Sequence, residues 1–337
     1  MKRNTFIALF VVFFLCSCST DVDLYTDFED VTVVYGVMDV ANDTNYVKII
    51  RAFSGSNDGS FNANEIALVA DSSNYPGKLD VRFLEFKKGY GDHSFLPTGR
   101  EIVFDTTTIH NKQEGSFYAP NQKMYFTTEH LNVNNLHEKY KYKLLIPKPN
   151  DTISSEVSLI GGNRFQIVTS KVFFRAEDPG MRKLLFTPDD NDAMYLATMQ
   201  FNYKEVRSGQ DTVYKNVNWS FGPNSSFDLG YEEGKLYFTY REDMLFTLLE
   251  NAIGDDNLNV DRFFDGFVIT IFAYGKELEE YIQISEAVSG IDYYYTNIHG
   301  GLGILSSRHE ISKNVELSSR TMIDLLSKHW GFKHLGY

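Results

Sequence analysis

Histidine and serine patterns are the first place to look for catalytic chemistry in this sequence. His137-Glu138 and His309-Glu310 each begin a zinc-protease pattern, but neither is followed by a second histidine one helical turn later, where both ligands would share a face. The chain has no Gly-x-Ser-x-Gly turn and no phosphate-binding glycine loop, and Gly301-Leu302-Gly303 is only a broken dinucleotide pattern. We therefore expect no cofactor and no enzyme activity, with a hydrolase as the remaining alternative.

Acidic runs at 189–192 and 255–257 offer the oxygen ligands that calcium prefers. An EF-hand loop beginning at Asp189 would need Gly at its sixth position and Glu at its twelfth, but Met194 and Gln200 stand there. We interpret both runs as acidic turns in solvent and predict no metal site. Two carboxylates could also flank a glycosidic bond, but the sequence cannot nominate a pair among 45 acidic residues.

Aromatic side chains make up 15% of the chain and could bind a partner or a sugar. The candidate contact residues are Tyr293, Tyr294, Tyr295 and Trp219, because tyrosine and tryptophan supply much contact area at small entropic cost. The alternative is that these rings fill the core of a β-sheet protein and form cross-strand pairs.

The overall composition is that of a folded acidic protein. Of 337 residues, 43% are hydrophobic, and 45 acidic against 32 basic side chains give a net charge of −13. That apolar content can bury one large core or two smaller ones. A broad nucleic-acid surface is excluded, since phosphate binding needs clustered Lys and Arg that this sequence does not display.

The first 30 residues carry an export signal. Lys2 and Arg3 precede an apolar run of 11 residues, which is too short to span a bilayer but suits a signal peptide. Leu15-Cys16-Ser17-Cys18 follows and resembles a lipobox, so we predict that residues 1–17 are removed and that Cys18 is lipidated. A plain secretory signal is the alternative. Residues 18–30 are then expected to form a lipidated tether that anchors the protein to a membrane.

Three short strings resemble the Asp-Thr-(apolar or Thr) O-glycosylation motif of exported Bacteroidota proteins. They nominate Thr106, Thr152 and Thr212 as modified residues, each of which directly follows an aspartate. Chance matches are the alternative.

Residues 31–160 are predicted to form a β-sandwich of Ig-like size. Short alternating runs separated by turn residues predict strands at 31–39, 45–53, 78–86, 101–107, 124–129, 139–147 and 152–160. A short helix at 62–71 interrupts them. Gly161-Gly162 is the predicted domain boundary, because paired glycines free the backbone and offer little side chain for packing.

Residues 165–337 are predicted to form a second domain of the α+β class, so the whole chain is mainly β. Strands are expected at 165–170, 195–206 and 212–221, with a hairpin turn at 207–210. Apolar residues at helical spacing predict helices at 240–253 and 319–330, the latter with Ser318 or Ser319 as N-cap, and 277–285 is a third candidate.

Several strings, in this order, resemble an uncharacterised family of Bacteroidota outer-membrane lipoproteins. The last of them, at 295–304, has the pattern Tyr-Thr-Asn-Ile-x-Gly-Gly-Leu-Gly-Ile. The others are 33–39, 46–49, 70–72, 75–76, 186–195, 201–205 and 278–282, so the likeness spans most of the mature chain. From its residues alone, this last motif is a glycine-rich turn that lets a strand enter a crowded site, with Ile304 and Leu305 buried. The resemblance implies a lipoprotein that accompanies outer-membrane β-barrel machinery and implies no catalytic residue.

The expected function is that of a lipid-anchored, non-enzymatic accessory or binding protein of the outer membrane. Its expected partner is a β-barrel transporter, an envelope-assembly machine or another lipoprotein. A surface protein that binds glycans or nutrients is the alternative. The expected location is the cell surface, with the periplasmic face as the second choice.

Overall fold

A computed structural model describes residues 31–52, 73–89, 91, 93–110, 121–135, 137–149, 151–162, 164–189, 192–254, 260–287 and 295–334. Several predicted features lie outside these residues: the signal peptide, Cys18, the tether, the helix at 62–71, Tyr293 and Tyr294. The described residues are mostly strand, and their helices lie in the second half of the chain. The predicted mainly β fold with an α+β second half is therefore confirmed.

The helices of the described residues are α1 (Met244–Ile253), α2 (Lys276–Ala287) and α3 (Ser319–Ser327). None of them is long and apolar enough to cross a membrane. The strands of the same residues are β1 (Val31–Met38), β2 (Asn45–Ala52), β3 (Arg82–Gly89), β4 (Leu96–Val103), β5 (Asp105–Ile109), β6 (Gln122–Thr127), β7 (Glu138–Pro147), β8 (Thr152–Val157), β9 (Gln166–Ile167), β10 (Lys171–Val172), β11 (Met181–Thr187), β12 (Asp192–Val206), β13 (Val213–Ser225), β14 (Gly230–Glu232), β15 (Lys235–Arg241), β16 (Asp261–Gly275) and β17 (Leu302–Leu317).

One long sheet of nine strands, here called the shared sheet, runs through both halves of the chain. Its order is β13-β12-β16-β17-β1-β2-β6-β5, with β10 beside β17. Two four-stranded sheets complete the fold, in the orders β4-β3-β7-β8 and β14-β15-β11-β9. The halves are joined by β1 and β17, which pair in parallel from Val33 opposite Leu302 onward.

Each four-stranded sheet covers one half of the shared sheet and encloses a hydrophobic core. The first core draws on residues 34–159 together with Ile298 and Leu305, and the second on residues 160–332. In the first, Phe83 packs edge-on against Phe104 with ring centroids 5.0 Å apart. The second is closed by α1 and α3, whose Leu249 and Leu325 are fully buried. The result is two adjacent sandwiches, while the predicted domain division itself stays a prediction.

Polar side chains separate the two cores along β17. Leu305 belongs to the first core and Val315 to the second, and Ser307 and His309 stand between them on the same side of the strand. The Oγ atom of Ser307 accepts a hydrogen bond from the amide of Ile160 at 3.0 Å. This polar seam keeps the cores distinct where the chain passes from one sandwich to the other.

A buried aspartate anchors the seam. Asp39 Oδ1 lies 3.2 Å from His309 Nδ1, and the amide of Ala41 donates to the same oxygen at 3.1 Å. Burial alone would raise the pKa of Asp39, but these hydrogen bonds and the charge of Arg308 outweigh burial and hold the pKa below its usual value. The aspartate is therefore ionised at neutral pH and stabilises the end of β1.

The predicted strand at 101–107 is wrong in one respect, since it is two strands in two sheets. Residues up to Val103 belong to β4, and Asp105 begins β5 of the shared sheet. Between them, the amide of Phe104 donates to the Val81 carbonyl at 2.9 Å while its ring enters the first core. Local alternation cannot reveal this crossing, because the pattern continues unbroken through it.

Other local predictions are confirmed. The hairpin between β12 and β13 turns at 207–210, with a hydrogen bond from the amide of Gln210 to the carbonyl of Arg207 at 3.1 Å. Ser318 is the N-cap of α3 and accepts from the amide of Thr321 at 3.1 Å. The helix predicted at 240–253 begins only at Met244, because Tyr240 still belongs to β15.

Candidate functional site

The glycine-rich motif brings β17 against β1. Gly303 has φ +105°, and a Cβ atom there would lie 2.0 Å from the Val34 carbonyl oxygen. A Cβ atom on Gly301 would lie 2.6 Å from the Thr32 carbonyl oxygen. Only glycine permits so close an approach of two backbones. The prediction that a strand enters a crowded place here, with Ile304 and Leu305 buried, is confirmed.

Asn297 and His299 hold the same segment from the other side. The Asn297 side chain donates to the Leu305 carbonyl at 2.7 Å and accepts from the Leu305 amide at 2.9 Å, which imitates a strand pairing. The backbone of His299 forms two hydrogen bonds with Ser154 of β8, at 2.7 and 3.1 Å. Every one of these contacts is structural, and His299 itself is exposed.

An exposed apolar surface lies on the outer side of the shared sheet, opposite the cores. We define the tyrosine face as Tyr35, Val37, Tyr46, Tyr281, Tyr295 and Leu302. Tyr35 and Tyr46 are 41% and 40% exposed, and Val37 and Leu302 are exposed to a similar degree. Because Gly36 pairs with Val47, Val37 and Tyr46 are neighbours on this side of the sheet. Adjacent exposed apolar groups of this kind mark interaction sites more often than single ones do.

Helix α2 borders the tyrosine face and adds carboxyl groups to it. The Ser306 hydroxyl donates to Glu277 Oε2 at 3.2 Å. Burial raises the pKa of Glu277 above its usual value. Burial and a hydrogen bond to Glu280 raise the pKa of Tyr295. Burial and the neighbouring Tyr281 likewise raise the pKa of Tyr35. Tyr35 and Tyr295 therefore both lie close to α2, which carries Tyr281 and Glu280.

This arrangement is suited to binding. Tyrosine rings supply broad apolar contact, and their hydroxyl groups can donate and accept hydrogen bonds. The perturbed carboxyl of Glu277 is the kind of group that clusters at functional sites. Of the four aromatic residues nominated from the sequence, Tyr295 lies at this face.

Trp219 lies elsewhere, in the second core. It is 8% exposed and packs edge-on against Phe174 and Phe267, with centroids 5.8 Å away in each case. A ligand could reach only the edge of its ring. For this residue the structure favours the alternative in which aromatic rings fill the core.

The three threonines nominated for glycosylation lie in or beside strands. Thr152 and Thr212 are exposed, and Thr106 is half-buried in β5. At Thr106 and Thr152 the preceding aspartate accepts the threonine amide, at 2.8 and 2.7 Å. A glycan is therefore sterically easiest to place at Thr152 and Thr212, while their modification stays a prediction.

Sequence reasoning missed the buried carboxylates that help to hold the fold together, and three of them show how. Asp189, interpreted above as part of a solvent turn, is buried and accepts the amide of Gly162 at 2.8 Å. Glu85 accepts the Tyr142 hydroxyl at 2.8 Å in the first sandwich. Glu205 pairs with Arg262 in the second. Glu85 and Glu205 are visible in the sequence only as acidic residues beside apolar ones, which does not identify their partners, and Asp189 lies in an acidic run that gives no sign of burial.

Among the described residues, no three His, Cys, Asp or Glu side chains are grouped as a metal would need. No known protein-family model matches the chain, and a search of curated proteins likewise finds no match.

Proposed function

We propose that this protein is a lipid-anchored, non-enzymatic binding protein of the outer membrane, displayed on the cell surface. In this proposal the tyrosine face contacts a β-barrel transporter or another lipoprotein. The observation that carries the proposal is the exposure of Tyr35, Val37, Tyr46 and Leu302 side by side on one sheet. The lipobox-like segment ending at Cys18 and the order of motifs along the chain support the membrane location.

The position of the tyrosine face fits a membrane-bound partner. Tyr35 and Val37 lie on β1, the first strand after the predicted tether, so the face stays close to the anchor. Aromatic anchors near the centre of an interface supply most of the binding energy in known complexes. A partner that covers Tyr35 and Tyr46 would gain such anchors.

Co-purification tests this proposal. The tagged protein, isolated from detergent-solubilised outer membrane, should recover a barrel or lipoprotein partner in stoichiometric amount. Tyr35→Ser combined with Tyr46→Ser should abolish the recovery. The matched control is Tyr214→Ser combined with Tyr231→Ser, since both residues are 71% exposed in the second sandwich. Repeated recovery of the native protein alone, or equal recovery with both double variants, would reject the tyrosine face as the contact.

The location can be tested separately by protease treatment of intact cells. Loss of the protein from unlysed cells supports surface display. Full protection would place it in the periplasm and favour an envelope-assembly partner.

Glycan binding is the second candidate function. Exposed tyrosine rings beside the carboxyl groups of Glu277 and Glu280 combine apolar platforms with hydrogen-bond acceptors, which suits a sugar. A glycan array should then show selective binding that Tyr35→Ser weakens. Uniformly negative arrays would leave the protein partner as the better proposal.

A further inference from the structure

Three polar side chains meet where the chain enters the first sandwich. Thr32 lies at the start of β1, Tyr75 in the segment before β3, and Lys148 just after β7. The hydroxyls of Thr32 and Tyr75 are 2.6 Å apart. Lys148 Nζ donates to the Thr32 hydroxyl at 3.0 Å and to the Tyr75 hydroxyl at 3.2 Å. Both hydroxyl-bearing residues are buried, and Lys148 is half-buried.

This cluster holds more hydrogen-bond donors than acceptors. The two hydroxyls carry one proton each, and the single bond between them uses only one of these protons. The Lys148 ammonium group carries three protons, of which the two hydroxyls accept two. Within the described part of the chain, one hydroxyl proton and one ammonium proton therefore have no acceptor.

The charge of the cluster is also uncompensated. No carboxylate of the described residues forms an ion pair with Lys148. The nearest candidate along the chain is Asp151, which exchanges backbone hydrogen bonds with Lys148 across a turn. The Asp151 Oδ1 atom accepts the amide of Thr152 at 2.7 Å, and no ion pair joins this carboxylate to Lys148 among the described residues. A positive charge with spare donors and no counterion attracts an anion.

A second lysine fixes the cluster and adds to its positive potential. Lys123 Nζ donates to the backbone carbonyls of Tyr75 and Gly77, at 2.8 and 2.9 Å. Tyr75 is thus held at its backbone by Lys123 and at its hydroxyl by Thr32 and Lys148. The Lys148 ammonium also lies 5.3 Å from the centre of the Tyr75 ring. The three side chains are thus held in place by contacts within the fold.

We propose that Thr32, Tyr75 and Lys148 form a binding site for a phosphate-type oxyanion. One anionic oxygen accepts the free ammonium proton of Lys148, and the same or a second oxygen accepts the free hydroxyl proton. The bound anion gives both remaining protons an acceptor and neutralises the charge of Lys148. The site is chemically distinct from the tyrosine face, which supplies apolar contact and carboxyl groups.

Two sources can supply this anion: free phosphate or the headgroup of a phospholipid. Val31 follows Cys18 by thirteen residues, a length that spans at most about 45 Å when fully extended. If Cys18 is acylated, the site therefore lies within reach of lipid headgroups. Only the headgroup source rests on the proposed function, and the site itself does not depend on lipidation.

Amine footprinting of the full-length protein tests the site directly. Lys148 should react more slowly with an acylating reagent, by at least about five-fold, when inorganic phosphate saturates the site. The same protection in nanodiscs of phosphatidylglycerol, and not of phosphatidylcholine, would identify the headgroup as the source. Lys143 on β7 is the internal control, and its labelling should stay constant. Unchanged labelling of Lys148 under all of these conditions would overturn the proposal.

Calorimetric titration with inorganic phosphate provides the second test. Lys148→Met should weaken phosphate binding by about ten-fold or more, and Tyr75→Phe should weaken it less, because Thr32 can still donate. Lys143→Met is the matched control and should bind as the native protein does. Equal affinity of the native protein and Lys148→Met would overturn the proposal, provided both show the same thermal unfolding. A Cys18→Ser variant should keep phosphate binding, so failure of lipidation and failure of the site give different results.

Discussion

Replacing Arg262 with methionine should destabilise the second sandwich by about 3–4 kcal/mol. Arg262 is 1% exposed and Glu205 is 4% exposed, and Arg262 Nε donates to Glu205 Oε1 at 2.8 Å. The same guanidinium group donates to the Trp330 carbonyl at 2.6 Å and so fastens the C-terminal segment to β16. Methionine fills much of the space but offers none of these donors.

The magnitude follows from what the substitution leaves behind. Removing one partner of a buried ion pair costs about 3–5 kcal/mol, because the other charge stays buried without compensation. Lys215 Nζ remains 2.9 Å from Glu205 Oε2, which puts this contribution near the lower limit. The unpaired Trp330 carbonyl adds about 1 kcal/mol. Combining Arg262→Met with Glu205→Met should restore part of the loss, since no buried charge then remains.

Urea unfolding followed by tryptophan fluorescence measures the effect. Both tryptophans of the chain, Trp219 and Trp330, lie in the second core and report its unfolding. The control is Lys333→Met, which removes an exposed ion pair with Asp261 at 3.9 Å and should cost less than about 0.5 kcal/mol. A loss below about 1 kcal/mol for Arg262→Met, or no recovery in the double variant, would refute the argument.

Three further outcomes are expected. Gly303→Ala should destabilise the protein by at least about 3 kcal/mol, because the added Cβ atom would collide with the Val34 carbonyl. The control is Gly209→Ala at the open hairpin, which should cost only about 1–2 kcal/mol. Thermal unfolding measures both losses. The folded pKa of Asp39 is lowered, so its stabilisation is complete at neutral pH and is lost as the pH falls through that value. Asp39→Asn should thus be destabilised at pH 7, with urea unfolding showing the difference shrink in acid. Burial raises the pKa of Glu277, so its ionised carboxyl group opposes folding at neutral pH. Glu277→Gln should therefore stabilise the folded protein at pH 7. In the same urea assay this gain in stability should disappear near pH 4, where the carboxyl group is protonated in both states.

The elements that the sequence predicts well are those set by local pattern. Alternation along 139–147 predicts β7, and the helical spacing of Leu245 and Leu249 predicts α1. The sheet order depends instead on which distant strands pair. The local hydrophobic pattern does not indicate that β1 lies beside β17, or that the chain passes from one sheet to another at Phe104. In the sequence, the only trace of this pairing is the pair of glycines at 301 and 303. The structure explains why glycine is needed there, because a Cβ atom would collide with the opposing backbone of β1.

The candidate site is predictable to a smaller extent. The aromatic run at 293–295 points to Tyr295 as a contact residue, but Tyr35 and Tyr46 look like ordinary members of alternating strands. Tyr35 and Tyr46 form an exposed surface because the cores lie on the other side of the shared sheet. Which side of a sheet is covered depends on the whole fold and not on the local sequence. Trp219 is the opposite case. Its residue type predicts contact with a partner or ligand, but the fold buries it in the second core.

The parallel pairing of β1 with β17 sets an order of events during synthesis. A ribosome makes β1 first, but the neighbour that covers one of its edges is β17, which emerges almost at the end of the chain. Until then the first sandwich lacks Leu305 from its core and exposes an unpaired strand edge. Pairing across such a sequence distance is slow, because the long loop between β1 and β17 must close before these two strands make contact. The edge of β1 and the place of Leu305 in the first core are therefore filled only by one of the last strands to be made, so the first sandwich is completed by a segment from the other end of the chain.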